Sequence, residues 1–208
     1  MRKQLNLPNQ LTLSRILMVP VVLIFLHFGG VWTSFFAGFF FALAGFTDLI
    51  DGYLARKNKE ITMLGKFLDP LADKMLVSSV LIMMVYLERV AAWIVIIIIC
   101  RDIMVTGLRA IAADEGIVIA ADKYGKLKTL LQLVALEPLI LHYTWLGLPM
   151  HDIGIFLLYI SLALTVFSGY NYVRNFYRDW RQKHAARAEQ DGTDESAGTG
   201  NIPGGESP

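Results

Sequence analysis

With 208 residues, 55% of them apolar, and a mean hydropathy of +0.49, the chain is too hydrophobic for an ordinary water-soluble domain of its length. The formal net charge of +1 says little about partners, and no feature points to nucleic acid. A single cysteine, Cys100, excludes an internal disulfide and reads as a small packing residue within an apolar run.

In chain order, Met1–Gln10 carries Leu5, Leu7 and Pro8 among basic and amide residues and fits a short interfacial helix. Six apolar stretches follow, at about 11–28, 33–55, 67–87, 90–110, 127–146 and 152–174. Each reaches or approaches the roughly 20 residues that cross a bilayer, so the expected fold is all-α, a polytopic membrane protein with six transmembrane helices. The first stretch lacks a small-residue cleavage site and is expected to be retained. No repeat and no second soluble domain is visible, which leaves one membrane domain over residues 1–180. From 185 to 208 the chain is rich in Gly, Ser, Thr, Asp and Glu, and is expected to be a disordered polar tail.

Orientation follows from the 19 Lys and Arg residues. All but Arg89 fall on one side of this six-span pattern, which places both termini in the cytoplasm. His27, His142 and His151 then lie near the far side and read as interfacial polar residues rather than metal ligands.

Two of the stretches are interrupted by acid: Asp48 and Asp51 in the second, Asp69 and Asp73 in the third. A carboxylate at membrane depth costs roughly 2.5–3.5 kcal/mol on insertion scales, so such residues are functional candidates by default. Spacings of i, i+3 and i, i+4 put each pair on one helical face. Two such faces turned toward each other form an all-oxygen cage for hard divalent cations, Mg2+ or Mn2+. Four carboxylates exceed what one magnesium ion usually takes from protein, whereas two ions can clamp a diphosphate and spare one carboxylate as a base. That is the arithmetic of phosphoryl or phosphatidyl transfer. Gly52 and Ala55 leave room for a ligand to approach the helix backbone, and Arg56 offers a planar fork suited to phosphate.

The full pattern, D-x-x-D-G-x-x-A-R-x8-G-x-x-x-D-x-x-x-D over residues 48–73, resembles the signature of the CDP-alcohol phosphotransferases at every fixed position. Within that family, Asn6–Arg15, Arg101-Asp102 with Gly107-Leu108-Arg109, and Gly125–Thr129 are similar to the bacterial phosphatidylglycerophosphate synthase branch. The likeness runs from about residue 6 to 180. It implies a metal-dependent membrane transferase that displaces CMP from CDP-diacylglycerol. In this branch glycerol 3-phosphate is the acceptor and phosphatidylglycerol phosphate the product. The implied setting is the bacterial inner membrane, with the active site facing the cytoplasm. Membrane lipids are its surroundings, and a homodimer is left open.

The resemblance also implies roles. Asp48, Asp51 and Asp69 would hold two metal ions, and Asp73 would bind metal and act as the base. Gly52, Arg56 and Thr62 would contact the CDP moiety, with Asn9 and Thr12 bordering it. Helix-start capping explains Asn9 and Thr12 equally well. Arg109, Lys126 and Lys128 are candidates for the acceptor phosphate, because a dianion needs several cationic donors to replace water. Arg101 is similar but deeper, with pairing to Asp102 as its alternative. Two rival readings remain at this level: a cardiolipin or phosphatidylinositol-phosphate synthase of the same family, and a cation transporter using the aspartates.

Overall fold

The computed structural model describes the backbone of residues 7–58, 63–115, 123–145 and 147–198, and the side chains of 13–47, 71–72, 74–115, 127–145 and 147–184. Among these residues the chain forms six helices and one hairpin. They are α1 (Leu7–Phe28), α2 (Val31–Asn58), α3 (Met63–Tyr86), α4 (Ala92–Asp114), α5 (Lys123–Leu141), the strands β1 (Thr144–Trp145) and β2 (Leu148–Pro149), and α6 (Met150–Gly198). Each predicted apolar stretch falls on one helix.

Several boundaries differ from the hydropathy pattern. The connection expected over 56–66 is shorter, because α2 stays helical to Asn58 and α3 begins at Met63. The fifth stretch, expected to reach 146, stops at Leu141. There His142 turns to a φ of 59° and the antiparallel pair Thr144↔Pro149 and Trp145↔Leu148 follows. Where the composition implies a disordered tail from 185, the backbone of α6 continues to Gly198. Ala185, Ala186, Arg187, Ala188, Glu189 and Gln190 are good helix formers, which accounts for the first turns of this extension.

Packing builds one core. α1 lies against both α2 and α3, α5 against α6 and α2, and α4 against α6. Leu26, Phe41, Leu81, Met84, Ile98, Leu136 and Leu158 bring all six helices into the same buried cluster. Among the described glycines the tightest approach is between α5 and α6: a Cβ on Gly154 would sit 2.6 Å from Leu139 Cγ and 2.9 Å from Leu139 N. Between α1 and α2 the chain reverses through Gly29 and Gly30, at φ of 62° and 121°, a link that side-chain-bearing residues rarely adopt.

Much of the described exterior is apolar. Leu17, Phe39, Ile82, Ile96, Leu130 and Phe156 are all exposed, one from each helix, whereas Ser34, Gln132, Ser161, Thr165 and Ser168 are buried. Soluble monomers rarely expose contiguous apolar patches above roughly a few hundred Å², and a bilayer is the solvent that removes the penalty. Met150–His184 is by length and composition able to cross a membrane; Leu13–Phe28, Val31–Thr47 and Lys74–Tyr86 are shorter apolar stretches. In α4 the apolar run is broken by Arg101, Asp102 and Arg109. Cys100, expected to pack inside, instead lies on the exposed side of α4.

Alternating helix directions give the bundle two ends. At one, His27 stacks on Tyr86 with ring centroids 6.1 Å apart, and His142 meets His151 edge-on at 5.0 Å. Arg89, the one basic residue expected on this side, is buried and donates from Nη1 to the carbonyls of Leu139 (3.1 Å) and Ile140 (3.0 Å). It therefore caps the α5 C-terminus, where carbonyls lack intrahelical partners and a cation suits the helix dipole. The opposite end carries the candidate site.

Candidate active site

Asp48 and Asp51 lie on α2 near its C-terminus, and Asp69 and Asp73 on α3 near its N-terminus. The backbone is helical at all four positions, so the i, i+3 and i, i+4 registers hold and each pair shares a face of its helix. Both helices pack against α1, which brings the two acid-bearing segments to one end of the bundle. The side chains of these aspartates, and those of Asn9, Thr12, Arg56 and Lys126, lie outside the described residues, as do the surroundings of Gly52 and the whole of Thr62. Among the described side chains no group of three or more His, Cys, Asp or Glu residues gathers. Four carboxylates in two helical registers would offer oxygen donors only, the kind of set that suits Mg2+ or Mn2+. Arg15 on α1 is 1% exposed, a fully buried guanidinium on the helix that touches both α2 and α3. Sequence reasoning counted it only toward topology.

The basic residues are described in more detail. Asp102 on α4 accepts from two of them through the same oxygen, Oδ1: Arg101 Nη1 at 3.1 Å, and Lys128 Nζ from α5. Arg101 Nη2 reaches across to α6 and donates to Ser168 Oγ at 2.8 Å. Its stem lies along Gly169, where a Cβ would come within 3.0 Å of Arg101 Cγ. One turn along α4, the Thr106 hydroxyl donates to the Asp102 carbonyl at 2.7 Å and accepts from Lys74 Nζ. Lys74 directly follows Asp73 on α3. The network thus joins four helices and links the acid-bearing α3 to the basic residues of α4 and α5.

Arg101 and Lys128 are therefore brought together, and both contact Asp102. Arg109 stands apart: it is exposed, and its guanidinium sits 5.6 Å from the Tyr172 ring centroid on α6. Farther out, Lys183 on α6 pairs with Glu115 Oε2 at 3.3 Å, just beyond α4. Lys128 is only 3% exposed, so little of its charge is compensated by water. Two further buried donors, Arg101 Nε and Gln132 Nε2, have no hydrogen-bond partner among the described residues. Gln132 follows Lys128 by one turn on the same face of α5. Buried donors are normally satisfied, so an oxygen-rich ligand or ordered water is the expected complement.

Sequence reasoning missed Asp102 as a shared acceptor and did not see Thr106, Gln132, Ser168 or Gly169. One signal was available for α6. Ser161, Thr165 and Ser168 recur at i, i+4 and i+7 in an otherwise apolar run, a polar stripe at helical period.

Comparison with known proteins covers most of this arrangement. The family described as CDP-alcohol phosphatidyltransferase matches residues 5–167, which span α1 to most of the apolar part of α6. A Bacillus subtilis protein named CDP-diacylglycerol--glycerol-3-phosphate 3-phosphatidyltransferase is 40% identical over 190 residues, covering 84% of this chain and 95% of its own. Proteins of the same name from Rickettsia prowazekii (38% over 175 residues, 84% of this chain, 97% of its own) and Haemophilus influenzae (37% over 174 residues, 81% and 92%) are similar over the same extent. Likeness at this level, running nearly end to end in each relative, is not confined to the aspartate motif. The chain belongs to the CDP-alcohol phosphatidyltransferase family.

Proposed function

We infer that this protein is a CDP-diacylglycerol–glycerol-3-phosphate 3-phosphatidyltransferase, producing phosphatidylglycerol phosphate and CMP. The observation that carries the reading is the extent of its likeness to relatives of that name, each covered over nine-tenths of its length. The chemistry of the site supports it. One end of the bundle holds two carboxylate pairs in helical register, and a buried basic cluster lies on neighbouring helices. A phosphorylated acceptor fits that cluster better than phosphatidylglycerol would.

In this reading all six helices span the inner membrane, both termini are cytoplasmic, and the acid-bearing end faces the cytoplasm. The apolar exterior supports it, as does the near-exclusive placement of Lys and Arg on one side. The acyl chains of the lipid substrate stay in the leaflet while its diphosphate meets the aspartates at headgroup depth. Asp48, Asp51, Asp69 and Asp73 would hold Mg2+ or Mn2+, which when bound supplies positive charge to the diphosphate. Asp73 takes the proton from the primary hydroxyl of glycerol 3-phosphate. That oxygen forms the new bond to the phosphorus carrying diacylglycerol, and the bond to CMP breaks. Arg56, with Gly52 and Thr62 beside it, binds the nucleotide phosphate that leaves. Asn9 and Thr12 border the nucleotide, and Arg101, Arg109, Lys126 and Lys128 bind the acceptor's phosphate. No covalent enzyme intermediate is required.

An acceptor panel tests the reading. Purified protein with labelled CDP-diacylglycerol should release CMP with glycerol 3-phosphate and give phosphatidylglycerol phosphate by chromatography. Phosphatidylglycerol or inositol phosphate should give no product. Chelation should stop turnover, and added Mg2+ or Mn2+ should restore it. Cardiolipin as the main product would replace this assignment with another branch of the family. Cation uptake into proteoliposomes without CMP release would replace it with transport.

A further inference from the structure

Asp102 is an anion inside a cluster read as binding an anion, and that calls for an explanation. A carboxylate there weakens the field felt by an incoming phosphate, so a site built only for charge would omit it. Its geometry supplies a reason. Oδ1 of Asp102 engages Arg101 Nη1 from the preceding position on α4 and Lys128 Nζ from α5, so one atom fixes two flexible cations from two helices. Arg101 is held a second time, by Ser168 Oγ at 2.8 Å, and its stem lies close along Gly169 of α6, where a Cβ would come to 3.0 Å from Arg101 Cγ. Thr106 then ties the Asp102 backbone carbonyl to Lys74, next to the proposed base on α3.

We propose that Asp102 is a positioning residue for the acceptor. It holds Arg101 and Lys128 in a converged arrangement that reads the phosphomonoester of the acceptor, and it sets that arrangement relative to α3. The proposal rests on the reading of the basic cluster as the acceptor-phosphate site. Two observations favour a prearranged anion site over a purely structural ion pair. With one carboxylate between two cations, the trio remains net positive. Beside it, two buried donors lack partners among the described residues: Arg101 Nε, which lies against Gly169 of α6, and Gln132 Nε2, one turn from Lys128 on α5. A structural pair closed for stability alone would be expected to satisfy its own donors. Preorganisation has a direct energetic meaning here, because side chains already fixed lose little freedom when the ligand arrives.

The experiment compares wild type with Asp102→Asn, Asp102→Glu and Ser168→Ala, each purified in the same lipid–detergent mixture. Initial rates are measured against glycerol 3-phosphate at saturating CDP-diacylglycerol, and then the reverse. Asp102→Asn should raise KM for glycerol 3-phosphate about ten- to a hundredfold, the usual effect of losing a charged hydrogen-bond partner. Its KM for CDP-diacylglycerol should stay within about twofold, since that substrate is held elsewhere. Asp102→Glu, which keeps the charge, should recover part of the loss. Ser168→Ala removes the second hold on Arg101 and should shift the same KM by a smaller factor. If Asp102→Asn does not fold, the glutamate and alanine variants carry the test by the same split between the two KM values. An unchanged KM for glycerol 3-phosphate overturns the proposal, as does an equal rise for both substrates with a fall in thermal stability. Failure of the underlying reading looks different: wild type itself would then make no phosphatidylglycerol phosphate from glycerol 3-phosphate.

Discussion

At the scale of single residues, the proposed roles divide into groups that act by charge and groups that act by position. Asp51→Asn keeps the side chain's size and removes a proposed metal ligand. Activity should fall by at least about a hundredfold while the protein still inserts, because stabilisation of the diphosphate is lost. Near-normal turnover by well-inserted protein would remove Asp51 from the metal cage. Asp73→Asn should abolish transfer yet leave CDP-diacylglycerol binding measurable, since three carboxylates remain. Unaltered turnover across pH would place the base elsewhere. Arg109 offers a cleaner kinetic test than Lys128. It is exposed and rests on Tyr172, so Arg109→Ala should disturb the fold little. Its KM for glycerol 3-phosphate should still rise roughly tenfold or more if it binds the phosphate. An unchanged value would move the phosphate pocket toward Arg101 and Lys128.

At the scale of elements, helix approach is governed by small residues and helix ends by charge. Gly154→Ala forces a methyl group against the side chain and backbone of Leu139, so α5 and α6 must separate. Overpacking of this kind costs about 1–3 kcal/mol, which should appear as a lower midpoint of thermal unfolding in detergent. Gly45 is the control: nothing among the described residues lies within 4 Å of its hypothetical Cβ, so Gly45→Ala should leave the midpoint unchanged or raise it. A shared drop in both variants would show that the α5–α6 contact is not the cause. Arg89→Met probes the far end, where removal of the guanidinium leaves the Leu139 and Ile140 carbonyls without this donor. A loss of about 1–3 kcal/mol in unfolding stability with unchanged KM values is the expected outcome.

At the scale of the whole molecule, the apolar exterior and the polar seam inside it describe a bundle whose solvent is lipid. Orientation can be tested directly. In a Cys100→Ala background, Glu88→Cys should react with a membrane-impermeant maleimide on intact cells, and Ser207→Cys only after the membrane is opened. The reverse pattern would invert the topology and move the active site to the other face. The expected pattern would support the proposed reading, in which metal, nucleotide, base and acceptor phosphate meet at the cytoplasmic end of the bundle.

Local sequence determined the elements and their chemistry. Six apolar stretches announce six helices because a lipid-facing backbone must satisfy its own hydrogen bonds within each segment. The aspartate pairs were legible because helical period alone relates residues three and four apart. Tertiary packing decided what period cannot encode. Nothing local shows that Lys128 and Asp102, 26 positions apart, share an ion pair, or that Arg101 passes over Gly169 to reach Ser168. Boundaries also belonged to the fold: Arg56 and Lys57 near the end of α2 lower hydropathy without lowering helix propensity, so that helix outruns the apolar pattern. Arg89 breaks the charge asymmetry for a reason visible only in three dimensions. It lies where the end of another helix needs a cation, and that need arises from chain ends meeting in space rather than from neighbours in sequence.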